Sequence, residues 1–168
     1  GERNFKPFLS QYLKPVVGNF IEVDSGEVVG EHSGAQFYTI GQRKGLGLGG
    51  PGEPWFVSAK DIDKNIVYVV RGDNHPSLYC MEAAIEGFSF IGESIELENR
   101  DLFVKVRYRQ QDQECQVVKS DEGRLKLLFK KAQRAVTIGQ SACLYQGNRC
   151  LGQGTIVEVG KNLSELEP

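Results

Sequence analysis

The second half of the chain consists of short segments in which apolar and polar residues alternate, with turn-forming residues between them. Alternation with a period of two places successive side chains on opposite faces of a β-strand, so each segment predicts a strand with one apolar face. The predicted strands cover residues 83–90, 102–109, 114–119, 124–130, 141–145 and 149–159. Six short strands separated by turns favour a small, closed, antiparallel β-barrel.

The first half predicts a smaller β-rich domain that begins with one helix. Apolar residues recur at helical spacing over residues 5–13, and Pro15 ends that pattern. The turn formers of residues 71–76 mark a boundary. We therefore predict a mainly β chain, with a central β-rich domain over residues 1–74 and a six-stranded antiparallel β-barrel domain over residues 75–168. The strand signals of the central domain are a hairpin over 20–29, a β-rich run over 37–40, and a pair over 55–59 and 66–70.

Several classes of site are excluded by the motifs. No apolar run reaches the 18 residues of a transmembrane helix. The four cysteines include no C-x-x-C pair, and His32 and His75 are isolated, so we predict free thiols and no metal site. Residues 45–50 match G-x-G-x-x-G, but Pro51 and Pro54 follow where a dinucleotide site requires a helix. No arrangement of Ser, His, Asp or Cys indicates a nucleophile.

The net charge of −2 conceals a strong segregation of charge along the chain. Residues 81–101 contain six acidic residues and one basic residue, whereas residues 105–134 contain nine basic and four acidic residues. A local basic surface is sufficient for nucleic-acid binding, even when the whole protein is not basic. The charges alone equally allow these residues to be the solvated faces of strands.

Two of the predicted strands combine an apolar face with a cationic face. Leu102, Val104, Val106 and Tyr108 share the apolar face of the first strand, so Tyr108 belongs to the core unless it reaches the barrel edge, where it could stack on a base. Their cationic faces would form a positive patch that suits phosphate. The patch consists of Lys105, Arg107, Arg109, Arg124, Lys126 and Lys130.

The glycine-rich segment over residues 41–52 is a second candidate for phosphate binding. Glycines permit a close approach of the backbone to a ligand, and Arg43 and Lys44 lie within the segment. The alternative is a loop that only links strands.

A series of phrases along the chain carries a family resemblance. They are Gly1-Glu2-Arg3-Asn4-Phe5, Phe8-Leu9, Tyr12-Leu13, Gly30-Glu31-His32-Ser33-Gly34, Tyr38-Thr39-Ile40-Gly41-Gln42-Arg43-Lys44-Gly45-Leu46, Pro54-Trp55-Phe56-Val57, Val106-Arg107-Tyr108-Arg109-Gln110, Gly139-Gln140-Ser141-Ala142 and Cys150-Leu151-Gly152. In these phrases, over nearly its whole length, the chain resembles the central and C-terminal domains of the bacterial tRNA-specific 2-thiouridylases.

The resemblance implies a role in making 2-thiouridine at the wobble position of certain tRNAs. In that family an N-terminal nucleotide-binding domain adenylates the uridine C2 oxygen with ATP, and a cysteine persulfide then delivers sulfur with the help of a second cysteine. Gly1 matches the end of the family's Cys-Phe-Ile-Gly phrase, so that cysteine is expected three residues before Gly1. The resemblance therefore implies no catalytic residue in this chain, and it assigns ATP to the domain upstream.

The resemblance also implies partners and site residues. The partners are tRNA and a sulfur-relay protein, and we expect a cytoplasmic monomer whose C-terminal portion is inactive alone. The family's tRNA-contacting pair corresponds to Arg107 and Tyr108, and its contacting glutamine corresponds to Gln140. Arg109 is added from the strand-face argument, and Arg43 and Lys44 remain further candidates for tRNA binding. If the family pairing holds, Tyr108 is exposed rather than in the core.

Two other functions remain open at this point. One is a stand-alone β-barrel adaptor that binds RNA or a translation partner without enzymatic activity. The other, a barrel enzyme acting on a small molecule, would require a pocket with convergent polar groups.

Overall fold

A computed structural model of the chain describes residues 15–107 and 110–166. The helix predicted over residues 5–13, and the residues Tyr108 and Arg109, lie outside these ranges. Within the described ranges the chain forms ten β-strands, three short 3-10 turns and no α-helix. The prediction of a mainly β protein is therefore confirmed. In the same ranges, no helix is long and apolar enough to cross a membrane.

Backbone contacts divide the chain into two compact units, of which one ends at Leu78 and the other begins at Tyr79. The turn formers of residues 71–76, which indicated a boundary after residue 74, thus lie at the end of the first unit. A 3-10 turn over Pro76–Leu78 leads directly into the first strand of the second unit.

The first unit contains a mixed four-stranded sheet with the order β2-β1-β4-β3. β1 and β2 form the predicted hairpin, β3 pairs antiparallel with β4 as predicted, and β1 pairs parallel with β4. The side chains of Phe20, Val57, Val67 and Val69 are fully buried against one side of this sheet. The strands are β1 (Gly18–Glu22), β2 (Val28–His32), β3 (Trp55–Asp61) and β4 (Ile66–Arg71).

The strand predicted over residues 37–40 is wrong. A 3-10 turn covers Ala35–Phe37, and Tyr38 then packs into the core of the first unit. The backbone of the next segment makes only local contact with β3, where the Gly41 N–H donates to the Val57 carbonyl at 2.7 Å. The β-forming residues here supply buried side chains to the sheet without pairing as a strand of it.

The second unit is a closed barrel of six strands in the order β10-β5-β8-β7-β6-β9, and every neighbouring pair is antiparallel. This confirms the predicted barrel. Its interior is filled by the apolar residues of the alternating segments, including Ile85, Leu102, Leu127, Leu144 and Ile156. The strands are β5 (Tyr79–Phe90), β6 (Leu102–Lys105), β7 (Gln113–Lys119), β8 (Leu125–Arg134), β9 (Ser141–Gln146) and β10 (Arg149–Val159).

Glycine in β10 allows the barrel to close against β5. A Cβ atom on Gly152 would lie 2.1 Å from the Ser89 carbonyl oxygen of β5, so no larger residue fits without moving the backbone. The register of β10 shifts near this position against both of its neighbours. Bulges of this kind bend a strand and raise its local twist, as a small barrel requires.

β6 ends at Lys105, four residues before the predicted end at residue 109. The Val106 N–H donates to the side-chain oxygen of Gln110 at 2.9 Å, and the Gln110 N–H donates to the Arg107 carbonyl at 3.3 Å. These hydrogen bonds join the two ends of the segment to each other, and neither is a backbone ladder bond to a neighbouring strand. Arg107 therefore lies on a connection at the barrel rim and not on a strand face.

Candidate nucleic-acid interface

A groove on the barrel brings together two residues that are far apart in the sequence. β6 and β9 are antiparallel and Lys105 pairs with Cys143, so the chain that leaves β6 runs beside the chain that enters β9. Arg107 and Gln140 consequently line the same open groove, whose volume is about 580 Å³. The other lining residues are Lys105, Val106, Ser141, Cys143 and Tyr145.

Arg107 is half-buried in this groove and carries an uncompensated charge. Burial and the nearby charge of Arg134 lower the pKa of Arg107, but a guanidinium remains protonated in proteins. Its side chain donates a hydrogen bond to the Arg134 backbone carbonyl. Among the described residues no carboxylate forms an ion pair with it. A half-buried guanidinium without a carboxylate partner among the described residues attracts anions.

Gln140 is held so that its amide nitrogen is left to donate to a ligand. The side-chain oxygen accepts a hydrogen bond from the Thr137 N–H at 3.0 Å. The backbone is also fixed, because the Gln140 carbonyl accepts from the Ile156 N–H at 2.8 Å. The NH₂ group donates to no other side chain or carbonyl among the described residues, so it is available to a phosphate or a base oxygen.

The segment that carries Arg107 is anchored by three glutamines that the sequence analysis did not identify. The Gln110 amide donates to the Gln133 side-chain oxygen at 2.7 Å, and the Gln133 amide donates to that of Gln113 at 3.2 Å. Gln133 is only 4 % exposed, and it is the one buried polar side chain among the described residues of the barrel. The alternation pattern does not distinguish these glutamines from solvent-exposed ones. Their hydrogen bonds form only because the segment after β6 lies beside β7 and β8 in the folded barrel.

Three cations in or just before β8, Arg124, Lys126 and Lys130, do not form the positive patch that was predicted from alternation. Each of these three lies beside a glutamate on a neighbouring strand, which neutralises its charge. The prediction of a cationic wall on β8 is therefore wrong. The ion pairs are Arg124–Glu86 at 3.6 Å, Lys126–Glu82 at 3.6 Å and Lys130–Glu114 at 2.5 Å.

In the first unit, Arg43 and Lys44 are exposed at the start of the glycine-rich loop. Gln42 fixes the backbone below them, because its side chain accepts from the Thr39 N–H at 3.0 Å and donates to the Lys44 carbonyl at 2.9 Å. Neither cation forms an ion pair with a carboxylate in the part of the chain that the structure describes. Both remain candidates for phosphate contact.

The rest of that loop is held against the sheet. The Trp55 indole N–H donates to the Gly49 carbonyl at 3.1 Å, and the Arg71 guanidinium lies over the Trp55 ring at 4.1 Å. Leu46 is buried in the core of the first unit. The glycines thus let the chain turn tightly around the buried Leu46 side chain. They therefore have a structural role that does not depend on contact with a ligand.

The described residues contain no cluster of three or more His, Cys, Asp or Glu side chains that could hold a metal ion. All four cysteines are free thiols, and burial raises the pKa of Cys80 to about 11 and that of Cys115 to about 12. These two thiols are protonated at neutral pH and make poor nucleophiles.

Comparison with known proteins accounts for both units. Residues 6–71 match the family described as the tRNA methyl transferase PRC-barrel domain. Residues 81–156 match the family described as the aminomethyltransferase β-barrel domain. The first match covers the four-stranded sheet, and the second covers the barrel from β5 into β10.

Two curated relatives with high identity to this chain carry the same name. The tRNA-specific 2-thiouridylase MnmA of Bacillus subtilis is 46% identical over 167 residues, which are 99% of this chain and 45% of that protein. The protein of the same name in Protochlamydia amoebophila is 48% identical over 160 residues, or 95% of this chain and 42% of the relative. The chain thus spans less than half the length of these relatives. With both domain matches in succession and identities of this size over nearly all of its residues, the chain belongs to the tRNA-specific 2-thiouridylase family.

Proposed function

We propose that this chain is the tRNA-holding C-terminal portion of an ATP-dependent 2-thiouridylase that thiolates the wobble uridine at C2. The observation that supports the proposal is the convergence of Arg107 and Gln140 in one groove. One supplies a cation with no carboxylate partner among the described residues, and the other supplies a fixed amide donor. Relatives that share these domains are named as tRNA-specific enzymes.

The division of labour follows from the chemistry that the chain can perform. Adenylation with ATP and sulfur transfer from a cysteine persulfide belong, in this proposal, to the remaining part of the enzyme, to which a sulfur-relay protein delivers the sulfur. Cys80 and Cys115 do not take part, because both are buried and protonated. The chain binds and orients the RNA, as a cytoplasmic monomer.

The groove residues act on the RNA backbone and on exposed base edges. The Arg107 guanidinium offers forked donors that match a phosphate, and the Gln140 amide can donate to a phosphate or a base oxygen. Tyr108 and Arg109, which follow Arg107 directly in the sequence, are further candidates for tRNA contact. Arg43 and Lys44 supply a second phosphate contact from the first unit.

A tRNA titration at two salt concentrations tests the proposal. Replacing Arg107 by alanine should weaken tRNA binding about five- to tenfold and reduce the slope of log K against log salt by about 1, because one phosphate contact is lost. The matched control is Lys126→Ala, which removes a cation that is already paired with Glu82. The control should leave both affinity and slope nearly unchanged.

Two results would contradict the proposal. One is the absence of salt-dependent tRNA binding by the wild-type chain. The other is an equal loss of affinity in the Arg107→Ala and Lys126→Ala variants, which would mean that only the total charge matters.

The stand-alone adaptor is not favoured, because the curated relatives that match this chain carry the thiouridylase name. The reading frame that encodes Gly1 separates the two functions. A glycine-rich ATP loop and two cysteines encoded upstream support the enzyme, whereas a start codon next to the Gly1 codon supports the adaptor.

A further inference from the structure

The floor of the barrel groove is formed by one face of β9. Ala142 and Leu144 point into the barrel and are fully buried, so Ser141, Cys143 and Tyr145 point outward into the groove. Two of these three side chains are small and the third is aromatic. The floor therefore has a low section beside Gln140 and Arg107 and an aromatic wall at the other end.

The rim above the aromatic wall is cationic. The Lys105 ammonium lies 5.2 Å from the centroid of the Tyr145 ring, and it also lies 3.3 Å from an Asp112 carboxylate oxygen. Asp112 neutralises part of the Lys105 charge, so Arg107 is the stronger anchor for a phosphate. The ammonium lies over the Tyr145 ring, so a base that stacks on this face displaces it, and the Asp112 carboxylate then holds Lys105 beside the base.

These groups match the chemistry of a single unpaired nucleotide. An aromatic ring stacks on the face of any base, small side chains leave room for the base, and a guanidinium binds the phosphate. A base within a double helix cannot enter such a groove, because its faces are covered by its neighbours.

We propose that the groove holds one unpaired nucleotide of the bound RNA, with its base stacked on Tyr145 above Cys143 and its phosphate at Arg107. Gln140 then donates to an oxygen of the same nucleotide. The inference rests on the proposed function and extends it, because it assigns Tyr145 and Cys143 to the site and makes an unpaired nucleotide the feature that the groove selects.

The test uses the 168-residue chain and labelled tRNA. Of its two substitutions, one removes a contact surface and the other fills the space for the base. Tyr145→Ala removes the stacking surface, and Tyr145→Phe, its control, keeps that surface. Cys143→Leu fills the low section of the floor, and Cys143→Ser, its control, keeps the room. We expect Tyr145→Ala and Cys143→Leu each to weaken binding about tenfold, and each conservative variant to restore most of the loss seen in its partner variant.

Competition shows which form of RNA the groove selects. A single-stranded oligonucleotide should displace tRNA from the wild-type chain better than a duplex of the same length. That preference should be lost in the Cys143→Leu variant. Thermal unfolding of each variant verifies the fold, and if Tyr145→Ala does not fold, the Cys143 pair still tests the proposal.

The outcomes distinguish this inference from the function on which it rests. If Arg107→Ala weakens binding while Tyr145→Ala and Cys143→Leu do not, the nucleotide site is wrong and the tRNA-holding function stands. If the wild-type chain binds no tRNA, the proposed function itself fails. If single-stranded and duplex competitors are equally effective, the groove contacts only phosphate and the inference is overturned.

Discussion

At the level of single residues, the surroundings of a side chain decide whether its charge is available. Arg107 and Lys126 are both cations of the barrel, but Lys126 has a glutamate 3.6 Å away on the adjacent strand. An exposed pair of this kind contributes only about 0–1 kcal/mol to stability, yet it cancels the local charge. Arg107 is half-buried and bonds to a backbone carbonyl instead. Counting charges along the sequence treats the two alike, because their pairing depends on which strands become neighbours.

The buried thiols give a prediction at the same level: the stability of the barrel should fall as the pH rises from about 9 to 11. Burial raises the pKa of Cys80 to about 11 and that of Cys115 to about 12, from 9.0. A thiol whose pKa is higher in the folded state contributes its full stabilisation at any pH below its pKa in the unfolded state. This stabilisation is lost as the pH rises through its pKa in the folded state. At 1.36 kcal/mol per pKa unit, each thiol contributes on the order of 3 kcal/mol.

Urea unfolding between pH 8 and pH 11 measures this effect. The Cys80→Ala and Cys115→Ala variants should lose less stability over this interval than the wild type, whatever their stability at pH 8. Cys150→Ala, which removes a partly exposed thiol, is the control and should follow the wild-type curve. Identical pH dependence in all four proteins would show that ionisation of the buried thiols does not limit the stability.

At the level of elements, the short strand β6 shows how a polar network replaces strand pairing. β6 ends at Lys105, and the segment after it is held by hydrogen bonds from Val106 to Gln110 and from Gln110 to Gln133. Gln133 is buried, so each of its hydrogen bonds satisfies a group that water cannot reach. Alternation over residues 102–109 predicts which side chains share a face of a strand, but it does not predict the residue at which pairing with the neighbouring strands ends.

Replacing Gln133 by leucine should therefore weaken RNA binding as well as the fold. The change leaves the Gln110 amide without its acceptor, which costs about 1–3 kcal/mol of unfolding free energy. It also loosens the segment that presents Arg107, so tRNA affinity should fall severalfold. Gln116→Leu on the exposed face of β7 is the same substitution outside the network and should change neither property. A loss of stability with unchanged tRNA affinity would show that the network does not position Arg107.

At the level of the whole molecule, the sequence predicts the architecture better than the site. The six barrel strands were predictable because apolar and polar residues alternate in each of them, and this alternation does not depend on the order of the strands in the sheet. Gln140 lies beside Arg107 only because β9 pairs with β6, and no local pattern specifies that pairing. The resemblance to a known family named both residues, whereas Tyr145 and Cys143 became visible only in the folded groove. The run over residues 37–40 is not a strand, because its backbone forms the end of a 3-10 turn and a loop while Tyr38 packs into the core.

The barrel should fold without the first unit. The barrel has its own apolar core, and a closed sheet leaves no strand edge that needs a partner. The segment after β10 also returns to β5, where the Leu163 N–H donates to the Tyr79 carbonyl at 2.9 Å. A chain of residues 79–168 should therefore unfold cooperatively and should bind tRNA in a manner that Arg107→Ala weakens.

The barrel alone should nevertheless bind less tightly than the whole chain, and with a shallower dependence on salt. If Arg43 and Lys44 each contact a phosphate, their loss reduces the slope of log K against log salt by about 2. The whole chain with both residues replaced by alanine is the matched comparison, and its slope should equal that of the isolated barrel. An unchanged slope in this double variant would remove the glycine-rich loop from the interface. A barrel that fails to fold alone would show instead that its stability depends on the first unit.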